Sequence, residues 1–377
     1  MKVLIAPDSF KGTLSAFDAA QAIAVGIGQV LPAAILQLMP LADGGEGTLD
    51  AVLFARPGRR CTVRVRDALG EPISAAYGLL DDAHGPIAVL EAAQVVGLVQ
   101  AGDSDVAQRS TRGLGELLRH CLDQGLRRFM IGLGGSSTND GGAGLLAALG
   151  VKCLDQTGEE IATTPQGLAN LYRVDCSSVD TRLDACEMIL MTDVDIPLCG
   201  PNGATALFGP QKGVRAEDIA IFDARLARLA QLCDAHSGRN LAQAPGAGAA
   251  GGLGYALMWL GAQRRPGAEV VCELMQLDGA LRDAAWVITG EGRSDAQTLH
   301  GKLPLVVAQH AKRAGVPVSL LSGAIEASSR AALEAVFNGC YALVGEVVSP
   351  AQAMRETARW LTERARQMAQ SLPALLR

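Results

Sequence analysis

Aromatic side chains are scarce in this 377-residue chain: three Trp, four Tyr and seven Phe, 4% of the total. So few rings leave little surface on which single-stranded bases or sugars could stack. Positive charge is not in excess either. Against 33 Lys and Arg stand 39 Asp and Glu, a net charge of −6 that disfavours a broad phosphate-backbone contact surface. Nucleic acid is not expected as a main partner. No run of about 18 uninterrupted apolar residues occurs, so nothing is expected to span a membrane. The apolar start, MKVLI, is broken at once by Pro7, Asp8 and Lys11, and it reads as a first strand rather than a secretion signal. A cytoplasmic protein is the expectation.

Other absences narrow the chemistry. The nine cysteines are odd in number and scattered, with no C-x-x-C pair, so reduced thiols are expected rather than disulfides or structural zinc. None of His84, His120, His236, His300 and His310 has zinc-ligand spacing. There is no G-x-S-x-G elbow and no Walker-type G-K-[ST] ending. A dinucleotide fingerprint can be drawn at Gly132-Leu-Gly134-Gly-Ser-Ser137, but Ser stands at its third position, and hydride transfer is a poor match.

What is present is apolar residue and glycine. Hydrophobic residues make up 49% and charged residues 19%, enough to bury a large core, and 44 glycines exceed average usage and cluster. At roughly 150 residues per domain the length suggests about two or three domains, or one large one. Val3–Ala6, the helical spacing of Ser15–Leu31 with its Ser cap, and Ala34–Met39 read as strand, helix, strand, the unit of a parallel sheet. Cys61–Val65, Ile73–Leu80 and Ile87–Ala92 have no room for crossover helices and should pair largely antiparallel. Further helices are expected at Gly113–Leu122, Ala216–His236 and Pro304–Arg313, and strands at Phe129–Leu133, Met188–Thr192, Trp286–Thr289, Val316–Leu321 and Tyr341–Val344. Gly246–Gly254 reads as a flexible segment. A last helix near Ala351–Gln370 should carry Met354, Ala358, Leu361, Ala365 and Met368 on one stripe. The expected fold is α/β: residues 1–55 with 280–377 form a Rossmann-like domain with a parallel sheet built from both termini. Residues 56–279 form an inserted mixed-sheet α/β domain.

The glycine clusters carry the chemistry. GLGGSSTNDGGAG at 132–144 follows an apparent strand and runs into the small-residue helix Ala143–Leu149. Glycines let backbone N–H groups converge on an anion, and Ser136, Ser137 and Thr138 add hydroxyls. Asn139 and Asp140 could orient a metal or its water. Acids recur with glycine or hydroxyl residues just after apolar runs: Asp8, Asp43 with Glu46, Asp193 with Asp195, and Glu291 with Asp295. Each alone is a turn, but four together suggest one polar pocket at the carboxyl ends of strands. Carboxylates with Lys11, Arg293, Lys302 and a glycine-rich loop match Mg²⁺-assisted phosphoryl transfer. The loop Asn202–Gly213, with Thr205, Gln211 and Lys212, offers further donors or is simply a rigid connector. Arg109 and Arg112 read as facing either a substrate carboxylate or solvent, and solvent is the expectation.

Six segments in order resemble the bacterial glycerate kinases of the glycerate 2-kinase type: APDSFKGTLSA (6–16), PLADGGEGT (40–48), GLGGSSTNDGGAG (132–144), TDVDIPLCGPNGAT (192–205), FGPQKG (208–213) and TGEGRSDAQTLHGK (289–302). The resemblance spans the chain. It implies ATP-dependent phosphorylation of D-glycerate, mainly at the 2-hydroxyl, and a two-domain α/β fold. On that footing Gly134, Gly135, Ser136, Ser137, Thr138 and Asn139 would hold ATP, while Lys11, Asp43 and Asp193 would carry the chemistry, with Asp193 as base. Asp8, Ser9, Arg293 and Lys302 would bind glycerate, and Asp195, Glu291 and Asp295 would bind Mg²⁺. Glycerate 3-kinase, a kinase of another small hydroxy acid, and a non-catalytic anion sensor are the competing readings. The sequence is compatible with a homo-oligomer and says nothing further of assembly.

Overall fold

Short apolar runs from both ends of the chain pair in one sheet. The structure is a computed structural model, and it describes residues 1–372. It divides into two compact units: a terminal unit of Met1–Asp43, Asp50–Arg56 and the chain from Pro266, and a middle unit of Gly44–Leu49 and Pro57–Arg265.

The terminal unit has a five-stranded, wholly parallel sheet in the order Gly339–Ala342, Val318–Ser322, Trp286–Thr289, Lys2–Ile5, Ile35–Leu38. The chain first moves outward from Lys2–Ile5 to Ile35–Leu38 and later fills the other side. The strand order therefore reverses between Lys2–Ile5 and Trp286–Thr289, and ligand crevices open at such a point beyond the carboxyl ends. Crossover helices account for the parallel pairing. The helix Ala16–Val30 starts where the Ser15 side chain accepts from the Asp18 amide, and it packs on the helix Thr357–Gln370. Gly26 permits this approach, since a Cβ there would lie 2.1 Å from the Thr362 carbonyl oxygen. The final helical stretch is not continuous. Pro350–Arg355 ends at Glu356, and the buried stripe is Ala353, Thr357, Leu361, Ala365 and Met368, whereas Met354 and Ala358 are exposed.

The middle unit has a six-stranded mixed sheet in the order Gln263–Arg265, Glu187–Met191, Arg128–Gly132, Ile87–Glu91, Pro72–Leu80, Gly58–Arg66. The last three strands pair antiparallel, as their short connections require. Ile87–Glu91 pairs parallel with Arg128–Gly132 across the helix Arg112–Asp123. Ala216–Asp218 is a 3₁₀ turn, and the regular helix runs from Ile219 to Ser237 with Leu226, Leu229 and Cys233 buried.

Gly246–Gly254 is packed rather than flexible: eight of its nine residues are buried, Ala250 being half-buried. The glycines are there for close approach. A Cβ on Gly251 would lie 2.1 Å from the Thr138 carbonyl oxygen, and the Gly141 amide donates to the Gly251 carbonyl at 2.9 Å. The segment braces the back of the glycine-rich loop.

Candidate active site

In the terminal unit, residues following all five strands line a cavity of about 410 Å³ at the carboxyl edge of the sheet. Its polar lining includes Asp8, Lys11, Asp43, Glu291, Arg293 and Lys302, and Leu343, Val344 and Met354 form an apolar wall. The Asp8 loop is held by the strands beneath it: the Ala6 amide donates to the Ile288 carbonyl and the Asp8 amide to the Gly290 carbonyl. A tight turn then pairs Phe10 with Leu14 and projects Lys11 outward.

Asp8 is buried and accepts from the Ser9 amide at 2.6 Å. Burial, and next the nearby Asp43 carboxylate, raise its pKa well above the usual carboxylate value. Lys11 Nζ lies 3.5 Å from Asp43 Oδ2, and that carboxylate raises the ammonium pKa, so Lys11 is charged at neutral pH. Glu291 is buried, and burial raises its pKa too. Its Oε1 accepts from Ser294 Oγ at 2.9 Å and Thr298 Oγ1 at 2.7 Å, while Oε2 sits 3.9 Å from Lys302 Nζ. Asp295 caps the following 3₁₀ turn by accepting from the Gln297 amide at 2.8 Å. Arg293 is exposed at the rim, 3.8 Å from Asp295 and 3.9 Å from Glu326.

In the middle unit the loop after Arg128–Gly132 turns at Gly135, whose φ of +75° suits glycine. Gly134 and Gly135 are exposed, whereas Ser136 through Asp140 are buried. Among the described residues the amides of Gly134, Gly135 and Ser136 donate to no protein acceptor, and successive free amides of this kind form an anion-binding concavity. The rest of the loop is turned inward. Ser137 donates through both its amide and its hydroxyl to the Val96 carbonyl. Asn139 Nδ2 donates to Thr205 Oγ1 at 2.9 Å. Asp140 accepts from the Thr111 amide and hydroxyl and from the Gly142 and Gly144 amides, so its carboxylate pins the loop rather than facing a metal.

Of the residues marked in the sequence, Asp8, Ser9, Lys11, Asp43, Glu291, Arg293, Asp295 and Lys302 thus line one cavity. Asp193 and Asp195 belong to the middle unit. Asp193 is half-buried, and the exposed Asp195 is ion-paired with Arg264. Among the described residues no group of three or more His, Cys, Asp or Glu is arranged to hold a metal ion. Arg109 is not in solvent: it is 2% exposed and donates to the Ser137, Lys212 and Gly102 carbonyls. Arg112 is exposed and faces Glu116. The sequence offers Lys212 only as one donor of a loop that reads equally as a rigid connector; it is buried and donates to Ser136 Oγ at 3.1 Å and to the Thr138 carbonyl at 2.8 Å. Its one signal was a lone cation between glycines in Phe208-Gly-Pro-Gln-Lys-Gly. Among the described residues no helix is long and apolar enough to cross a membrane.

The family model described as "Glycerate kinase family" matches residues 3–373. A glycerate kinase of Bacillus subtilis (strain 168) is 40% identical over 373 residues, 99% of this chain and 98% of its own length. A glycerate 2-kinase of Escherichia coli (strain K12) is 41% identical over 326 residues, 86% of each chain. A solved structure from Salmonella typhimurium LT2 carrying the name glycerate kinase 2 superposes with a TM-score of 0.84 at 41% identity, covering 99% of this chain and 98% of that one.

Proposed function

The chain belongs to the glycerate kinase family, and from that premise we propose that it transfers the γ-phosphoryl group of ATP to the 2-hydroxyl of D-glycerate, giving 2-phosphoglycerate and ADP. The name of the Escherichia coli relative supports the 2-position. The observation that carries the reading is the terminal-unit cavity, where a buried acid, Asp8, faces Lys11 and Asp43 below a rim of Arg293 and Lys302.

D-Glycerate is a small anion with two hydroxyls, and this lining matches it. Arg293 and Lys302 pair with the carboxylate, the guanidinium offering a planar fork and the ammonium a point charge. Asp8 takes the proton of the reacting hydroxyl, because burial and its acidic neighbour disfavour its charged form and make it an avid acceptor. Lys11 neutralises charge on the transferring group. The free amides of Gly134, Gly135 and Ser136 receive phosphate oxygens, while Ser137, Thr138 and Asn139 support them from within.

Mg²⁺ fits this donor set sparingly. It binds through one or two protein carboxylates plus phosphates rather than in a full protein cage. Asp43, which lines the same cavity beside Lys11, would hold it. The ion would neutralise phosphate charge.

The sequence singles out Asp193 as base, and this reading moves that role to Asp8. Paired variants test the reassignment. Asp8→Asn should lose about 10²–10⁴-fold in kcat, whereas Asp193→Asn should stay within about tenfold of wild type. The opposite pattern would return the base to Asp193.

A further inference from the structure

Behind the three free amides lies a pair of buried cations that no step above uses. Lys212 is 4% exposed and Arg109 2%, both rare depths for such side chains. We propose that Lys212 is the positioning residue of the anion-binding loop, holding Ser136 and Thr138 so that the amides face a phosphate group, and supplying positive charge behind it. This inference rests on the assignment of the loop to ATP phosphates.

Lys212 Nζ donates to Ser136 Oγ and to the Thr138 carbonyl, the residue completing the concavity and one just beyond it. Arg109 clamps the same parts from the other side: its Nη1 donates to the Ser137 carbonyl at 3.1 Å and to Lys212's own carbonyl at 3.0 Å. The loop and the turn carrying Lys212 are therefore tied together twice. Thr138 Oγ1 and Asn139 Oδ1 are buried without a hydrogen-bond partner, so the loop holds polar groups that its own folding does not satisfy. Such incomplete pairing is more at home in a working site than in a structural turn.

Two charged groups face Lys212: Asp140 attracts its ammonium and Arg109 repels it. Burial outweighs both and pushes the amine down to about 7. An anion seated on the amides would favour the charged form again. Nucleotide binding should therefore take up a proton near neutral pH, which a purely structural lysine would not do.

The test titrates Mg·ATP into the full chain at pH 8, in buffers of different ionisation enthalpy, while glycine and serine amides are followed by NMR. The Gly134, Gly135 and Ser136 amides should shift. Wild type should take up several tenths of a proton more than Lys212→Met, a difference that cancels the ligand's own protonation. Lys212→Met should raise the KM for ATP about tenfold, the cost of one charge-assisted contact, and leave the KM for glycerate unchanged. Lys212→Gln keeps a donor and guards against a mere folding defect; it should retain the wild-type melting temperature more closely yet show no extra uptake. If the amides shift but uptake and ATP KM match in all three proteins, the role of Lys212 is overturned and the loop assignment stands. If the amides do not move on saturation, the loop assignment itself fails.

Discussion

Asp140 and Asp8 are both buried carboxylates, yet their neighbours give them opposite uses. Asp140 is saturated by three amides and a hydroxyl, whereas Asp8 accepts one amide and faces Lys11 and Asp43 across a cavity. Sequence marks an acid beside a hydroxyl residue or a glycine in both places and cannot tell them apart, because the partners are set by closure of the loop. Arg109 was equally illegible: an arginine among Gln and Ser reads as surface, and only the converging carbonyls explain its burial. Arg293 is the residue whose role is simplest to test. Arg293→Lys should raise the KM for glycerate with a modest loss of kcat, and an unchanged KM would remove it from carboxylate binding. Lys212 makes a stability prediction of unusual sign. Its folded pKa, about 7, lies below its ordinary value of 10.5, so between these limits the unfolded chain binds more protons. Stability should therefore rise from pH 7 to pH 10, with the penalty fully present below 7. Relative to Lys212→Met the gain should approach about 4 kcal/mol in denaturant titrations; a pH-independent difference would contradict the burial argument.

At the scale of elements, the period-based expectations located strands and helices, because burial on one face imposes its spacing on sequence. They failed where close backbone approach, rather than periodicity, set the structure. Gly246–Gly254 has the composition of a mobile linker, but its glycines exist so that Thr138 and Gly141 can lie against them. The last helix failed differently, since the stripe through Met354 and Ala358 ignores the break at Glu356. Two glycine substitutions separate close packing from simple permissiveness. Gly251→Ala places a Cβ 2.1 Å from the Thr138 carbonyl oxygen at a φ of +68°, and should cost about 1–3 kcal/mol and weaken ATP binding. Gly279→Ala, in the helix Leu277–Leu281 with open space around it, should stabilise by about 0.5–1 kcal/mol. Thermal melts of the two variants that moved together would refute the distinction.

For the molecule as a whole, the α/β class and the parallel sheet drawn from both termini were legible, because strand–helix–strand texture at each end demands parallel pairing. Of the acids at strand ends, Asp8, Asp43, Glu291 and Asp295 were legible because the carboxyl edge of such a sheet is where they converge, whereas Asp193 and Asp195 follow a strand of the middle unit and were wrongly grouped with them. Composition alone could never name the acceptor, since a small polar cavity admits many hydroxy acids; family membership supplies glycerate. The central claim is the identity of the reaction, and ³¹P NMR of the purified protein with Mg·ATP and D-glycerate tests it most directly. We predict loss of the ATP γ-resonance and growth of a signal matching 2-phosphoglycerate. A signal matching 3-phosphoglycerate instead, or intact ATP with folded protein, would contradict it.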